Sequence, residues 1–582
     1  MELVKRVAAL ACVATLAASC GGEDPAASAD ASSDAPARDA LDGAEDALDG
    51  AEDAGDVAVL DASSEASVDA AGDAPSSEVD AADASSEASV DAAAMDAARA
   101  DVLGDVGGDV VRDAAPTDAP DASTLADVSH PRELRGVWVA TVGNINFPSH
   151  TGLSVTAAQA ELTSMLDVVQ RNRLNVVVFQ VRPEGDAVYR SSIEPWSRYL
   201  TGRQGGDPGF DPLDFLVAQA HRRSIEVHAW FNPYRAKSAA GSAAVSPHIS
   251  VTNPEAVVTY GSALWMDPSR AVVQDRLAAV IRDVVTRYDV DGVHFDDYFY
   301  PYPISGTAFP DSAQYDRYRM GGGALSLSDW RRDNVNRMVE RVSTTVATAR
   351  ADVRFGISPF GIYRPGMPAG ISGLDAYNAI YCDPVLWMRQ GWVDYLAPQL
   401  YWPSTQTAQA YGTLIAWWAA LATGGRSVFA GNNLGQLGSS SAWSLDEFRR
   451  QVTLTRAQAD RGARGNIWFT VQPFQSNRMG VADAFRAEFY QRPALTPPMA
   501  GARPRPAAPT VTVDLRTLRI THPEAARLRS WVVYRDVSGA WEVDQIVPAS
   551  QSSATVTAAG TYAVSASNRF GDESLGARAT VR

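Results

Sequence analysis

Two adjacent carboxylates at the end of a short apolar run are the most chemically pointed feature of this 582-residue chain. The run reads Asp291-Gly-Val-His-Phe-Asp-Asp-Tyr-Phe-Tyr300. Asp291-Gly292 is a turn signal, residues 293–295 form a strand, and two acids with three aromatics crowd its exit. Acetal cleavage needs a carboxylic acid to protonate the leaving oxygen and a carboxylate to act as nucleophile or base. Neighbouring residues of an extended chain project to opposite sides, so only one of Asp296 and Asp297 is expected to reach the bond, Asp296 first. The partner is then sought elsewhere. Glu184, in Gln180-Val-Arg-Pro-Glu-Gly-Asp186, is the leading candidate, with Asp186 and Asp383 in reserve.

The same grammar recurs. His228-Ala-Trp-Phe-Asn-Pro-Tyr-Arg235 and Ala397-Pro-Gln-Leu-Tyr-Trp402 also end apolar runs in amides, aromatics and charge. Sugar hydroxyls need directional hydrogen bonds and sugar C–H faces stack on rings, so such ends suit a carbohydrate. The candidate binding residues are Arg182, His228, Asn232, Tyr234, Arg235, His294, Tyr298, Gln399, Tyr401 and Trp402. Blander readings stand beside them: Trp138 and Trp230 as barrel core, His228 as a satisfied buried imidazole, and Arg182 as a counterion for Glu184. His294 either bonds sugar or tunes Asp296. His228, His294, Asp296 and Asp297 are metal-ligand types, but they lack a His-x-x-x-His or equivalent spacing, so neither metal nor organic cofactor is expected.

Such residues need a scaffold that gathers strand ends. Eight short apolar runs qualify: 136–141, 176–181, 226–231, 292–295, 354–357, 395–400, 427–430 and 466–470. Amphipathic stretches separate them at 157–171, 212–223, 269–288, 327–349, 384–390 and 444–461. Alternating β and α units with fully apolar strands point to a parallel sheet covered on both faces. Eight of them fit an α/β (β/α)8 TIM-type barrel over 131–495, whose active site lies at the strands' C-terminal ends. A doubly wound sheet is the competitor, but the first run leads into Val142-Gly-Asn-Ile-Asn-Phe-Pro148, which is no phosphate-binding glycine loop.

Flanking segments differ in composition. Residues 1–20 have Lys5 and Arg6, the apolar run 7–18 and then Cys20, a secretory signal. Leu16-Ala-Ala-Ser-Cys20 resembles a lipobox, so Cys20 is expected to carry lipid and anchor the chain to a membrane. Residues 21–130 contain 29 Asp and Glu against three Arg and almost no aromatics, and are expected to be a disordered tether. With that net −26 set apart from the chain's −19, and +1 for the signal, the part from Pro131 is about +6, which makes no case for nucleic acid. The three cysteines are Cys12, Cys20 and Cys382; the last reads as a packed apolar residue. Residues 496–509 read as a Pro-rich linker, and alternating segments at 511–513, 518–520, 530–534, 553–556 and 560–567 as a small all-β sandwich over 510–582.

Several motifs together carry a family resemblance: Arg135-Gly-Val-Trp-Val-Ala-Thr141, Asp211-Pro-Leu-Asp-Phe215 with His221-Arg-Arg223, the two runs ending at Arg235 and Tyr300, Trp330-Arg-Arg-Asp-Asn334, and Tyr395-Leu-Ala-Pro-Gln-Leu-Tyr-Trp-Pro403. In order, they resemble the glycosyl hydrolase-like 10 family over about 132–492. The resemblance implies a lipoprotein of the bacterial cell envelope that acts on a polysaccharide such as peptidoglycan stripped of stem peptides; the chain is expected to be a monomer attached to the outer membrane, facing the periplasm or the cell surface. A non-catalytic wall-binding protein and a metal-dependent deacetylase or phosphoesterase are the rival readings. Chitinases carry Asp-Gly-x-Asp-x-Asp-x-Glu on their fourth strand; here Asp296 is kept, His294 replaces an acid and Tyr298 stands at the general acid's position. Outside the barrel, Thr561-Tyr-Ala-Val-Ser-Ala-Ser-Asn-Arg-Phe-Gly571 resembles a late strand of fibronectin type III domains.

Overall fold

The computed structural model describes residues 124–582. The signal segment, Cys20 and the tether as far as residue 123 lie outside the described residues. All eight expected runs form strands: β1 Leu134–Val139, β2 Val176–Arg182, β3 Glu226–Phe231, β4 Gly292–Phe295, β5 Arg354–Ile357, β6 Tyr395–Leu396, β7 Ser427–Asn432 and β8 Ala463–Trp468. They pair in parallel as one closed barrel, β8 against β1 and each other strand against its neighbours in sequence. β6 is shorter than expected because Pro398 has no N–H for the ladder; Gln399 resumes pairing through bridges to Phe360 and Gly431.

Helices cover the barrel's outer face. The one at Pro212–His221 begins where Asp211 accepts from the N–H groups of Leu213 and Asp214 and proline occupies the first turn. Side chains alternate along every strand between that helical layer and the barrel interior. Val293 and Phe295 face the helices; His294 faces inward, together with Trp138, Val178, Trp230, Tyr395, Phe429 and Ile467. Size alternates across the interior. A Cβ on Gly356 would lie 2.1 Å from the Tyr395 ring, and one on Gly292 would lie 2.6 Å from the His228 ring. Neither position admits a larger residue without displacing a core ring.

The C-terminal strands form two antiparallel sheets. Thr510–Asp514, Thr517–Thr521 and Ser553–Thr555 make one; Leu528–Val537, Ala540–Pro548, Gly560–Asn568 and Gly576–Val581 make the other. Two expectations are corrected. Leu125–Ala126 was assigned to the disordered tether but pairs with Gly576–Val581, and Ala126 and Val128 are buried. Apolar surface buried at Ala126 and Val128 offsets the cost of ordering this segment. The Pro-rich linker is also docked at its start: Thr496 bonds Glu226 at 2.7 Å, and Pro497 accepts from Arg354 at 2.6 Å.

Glu226 and Arg354 open β3 and β5, so the linker docks at the end of the barrel opposite the strand exits. Arg529 pairs with Asp291, immediately before β4, and Arg569 grips Asp289 with bonds of 2.5 and 2.7 Å. Arg529→Ala should therefore cost about 2 kcal/mol of stability, less than the ~3–5 kcal/mol of a wholly buried ion pair because Asp291 keeps its bonds to His221 and Val227 N, with kcat unchanged below the melting transition. Urea unfolding followed by tryptophan fluorescence checks the first part, and a turnover assay the second.

Candidate active site

The strand exits open onto a cleft. Inward alternation continued past the strand ends supplies its floor and walls: Trp138 from β1, Gln180 from β2, Trp230 from β3 and Asn232 just after it, Asp296 after β4, Ser358 after β5, Gln399 and Tyr401 after β6, and Phe469 after β8. One wall comes from an insertion after β3. There Arg235–Lys237, Ala263–Met266 and Val257–Tyr260 form a small antiparallel sheet that brings Arg235, Ser238, Ala263 and Trp265 to the cleft.

Among the described residues, Asp296 and Asp297 are the only acidic side chains lining this cleft. The expectation that the two side chains would project to opposite sides is corrected. β4 ends at Phe295, so the two-residue alternation no longer governs the next turn and both side chains face the same space. Oδ2 of Asp296 accepts from Trp230 Nε1 at 3.0 Å and from Asn232 Nδ2 at 2.6 Å. Burial, reinforced by the charge of Asp297, raises its carboxyl from the ordinary 3.8 to about 7; Arg235 and the Trp230 bond oppose the shift. Burial also raises Asp297, against bonds from the Tyr302 hydroxyl and Gln399. Arg235 lies 4.4 Å above the Tyr298 ring, beside both acids.

Glu184 is not part of this arrangement. Its carboxylate lies behind the wall residue Ser238, accepting from Ser238 N at 2.9 Å, Tyr199 at 3.0 Å and Arg198 at 3.1 Å. Burial alone would raise it, but Arg198 and Ser238 outweigh burial and hold it below the usual carboxylate range. An ionised, fully bonded carboxylate outside the cleft is suited to holding Ser238 and unsuited to proton transfer. The reserves fare no better: Asp186, raised by burial to about 7, and Asp383, the cap of Pro384–Arg389, both lie outside the lining.

The binding candidates divide in the same way. Asn232, Arg235, Tyr298, Gln399 and Tyr401 line the cleft. Arg182 is wholly buried in a two-bond pair with Glu194, at 2.6 and 2.8 Å. A bulge in β2 is the cause. Gln180 pairs with inward Trp230 but Arg182 with outward Phe231, so Arg182 faces the helices. His228 and His294 sit one layer below the cleft, sharing the Tyr395 hydroxyl at 2.8 and 2.9 Å, and burial lowers both. Tyr234 is in the core with its hydroxyl unbonded, and Trp402 has the outward parity, packing edge-on to Phe360. Trp138, read as core, serves both as core and as cleft wall.

Sequence reasoning did not single out Gln180, Ser238, Trp265, Ser358 or Phe469 as site residues. Parity counted from Trp138, Trp230 and Asp296 along the strands would have found Gln180, Ser358 and Phe469. Ser238 and Trp265 depend on how the insertion folds back, for which the sequence carries no comparable signal. Among the described residues no group of three His, Cys, Asp or Glu side chains is placed to hold a metal ion.

The model of the glycosyl hydrolase-like 10 family matches residues 133–440. Glycosyl hydrolase YngK of Bacillus subtilis (strain 168) is 40% identical over 385 residues, spanning 63% of this chain and 74% of that protein. Glycosyl hydrolase DigH of Escherichia coli (strain K12) is 37% identical over 307 residues, spanning 49% of this chain and 69% of its own length. Among solved structures, the PgaB (BpsB) glycoside hydrolase domain of Bordetella bronchiseptica overlays 61% of this chain and 98% of its own with a TM-score of 0.41 at 12% identity.

Proposed function

Because the chain belongs to the glycosyl hydrolase-like 10 family, we propose that it hydrolyses glycosidic bonds of an envelope polysaccharide, namely peptidoglycan strands lacking stem peptides. One observation carries the hydrolase reading: two carboxyls with raised pKa share the aromatic cleft at the barrel's strand exits. A carboxyl titrating near 7 still holds its proton at neutral pH, as a general acid must. Asp296 protonates the leaving oxygen. Asp297, supported by Tyr302 and Gln399, supplies the carboxylate that acts on the anomeric carbon directly or through water.

The rings of Trp138, Trp230, Trp265, Tyr298 and Tyr401 offer stacking faces around those acids. Arg235 is the cation of this lining, placed to meet the lactyl carboxylate of a muramic acid unit. The lipobox-like sequence at Cys20 supports an outer-membrane lipoprotein. Incubating the protein with amidase-treated and intact peptidoglycan, followed by mass spectrometry of the products, tests the proposal. Binding without cleavage would replace the enzyme with a wall-binding protein. Arg235→Ala should weaken kcat/KM on denuded strands about tenfold more than on chitin oligomers, the scale of one hydrogen bond between charged groups; equal losses would remove the lactyl assignment.

A further inference from the structure

A chain of amides reaches Asp296 from the first strand, and its polarity is fixed by backbone groups that can only donate. The N–H groups of Thr141 and Val142 point at Gln180 Oε1, at 2.8 and 2.9 Å. That oxygen is thereby identified, so Nε2 of the same amide is the atom that meets Asn232 Oδ1 at 2.6 Å. Asn232 then has only its Nδ2 to offer Asp296, and offers it at 2.6 Å to Oδ2. Trp230, whose indole N–H also only donates, reaches the same oxygen at 3.0 Å. All of these groups except Thr141 line the cleft, and Gln180 and Asn232 are fully buried. Among the described residues, Oδ1 of Asp296 has one long bond, from Tyr298 N at 3.4 Å.

We propose that Gln180 and Asn232 are positioning residues which, with Trp230, reserve Oδ2 of Asp296 as a pure acceptor and so confine the acid proton to Oδ1, the oxygen that delivers it to the leaving group. This rests on the reading of Asp296 as general acid. In the step, the Oδ1–H bond breaks and the proton joins the glycosidic oxygen. That oxygen keeps the electron pair of the breaking C–O bond, and the pair left by the proton stays on the Asp296 carboxylate. Asn232 and Trp230 already point at the carboxylate that forms, so no donor reorients during transfer. Without the relay Asn232 is free to turn its amide and present Oδ1, which repels that charge.

The relay predicts an altered proton affinity as well as a loss of rate. Gln180→Glu exchanges one atom: the new carboxylate still accepts from Thr141 and Val142 but has no N–H for Asn232. In the full chain, the alkaline limb of the kcat/KM profile should then move up by about one pH unit, since hydrogen bonds to the charged form lower a carboxyl's pKa. The kcat should fall at least tenfold with KM within twofold. Trp230→Phe removes one donor without adding charge and should move the limb the same way, and Gln180→Met serves if the buried glutamate prevents folding. Arg235, Asp297 and Tyr298 also face Asp296, and none of these variants alters them. A second readout needs no substrate: the carboxyl carbon of Asp296 in ¹³C-aspartate-labelled protein, assigned by its loss in Asp296→Asn, should titrate at higher pH in each variant. Unmoved limbs and midpoints overturn the relay. Near-native turnover by Asp296→Asn would instead overturn the assignment of the acid, and the two failures are separable.

Discussion

Asp296→Asn should lower turnover of denuded glycan strands by about 10²–10⁴-fold, the usual contribution of a positioned acid or base, while the barrel stays folded. Asn keeps the size and still accepts from Asn232 and Trp230 but carries no transferable proton. Its stability should move oppositely to its activity. The Asp296 carboxyl is raised to about 7 by burial, so the folded protein retains a proton that the unfolded chain releases near its ordinary 3.8. Native stability is therefore lost as pH rises from about 4 to 7. Asn does not titrate, so the variant's melting temperature relative to the parent's should climb between pH 5 and pH 8. Near-native turnover together with a flat difference in melting temperature would remove Asp296 from the mechanism.

Arg182 should produce an effect of similar size with a different meaning. Both partners of its pair with Glu194 are wholly enclosed, and its other nitrogen donates to the carbonyls of Asn232 and Pro233. Removing one partner of a buried pair costs about 3–5 kcal/mol because the other charge is left unpaired. Arg182→Met should approach the lower end, since Arg276 still lies 3.4 Å from Glu194. Replacing Glu194 by leucine in the same chain should recover most of the loss, as apolar pairs often substitute for buried ions. Urea denaturation of the two single variants and the double variant measures this as a cycle. A single variant of parental stability that had merely lost substrate affinity would return Arg182 to the binding surface.

The barrel was legible in the sequence because its strands are short, apolar on both faces and separated by capped amphipathic helices, each a local pattern. The acids were legible for a related reason: parity along β4 carries His294 into the interior and Asp296 to the mouth, so one strand's register locates the chemistry. That parity failed where the backbone departs from an extended strand. Past Phe295 the chain turns and Asp297 joins the cleft; at the β2 bulge Arg182 is turned away from it. Glu184 lies outside the cleft lining for another reason. Its position after a strand exit is local, whereas the Arg198, Tyr199 and Ser238 groups that hold it ionised behind the wall come from segments up to 54 residues away.

The sequence by itself determined the strands, the helices, the barrel class and the identity of one cleft acid. Only the tertiary structure decided that the second cleft acid is Asp297, that Arg182 and Glu184 lie outside the cleft lining, and that the C-terminal module packs at the far end of the barrel. The reason is physical. Secondary structure and facing follow from the spacing of neighbours along the chain. A carboxyl's protonation depends on which distant donors, charges and apolar surfaces the completed fold packs around it.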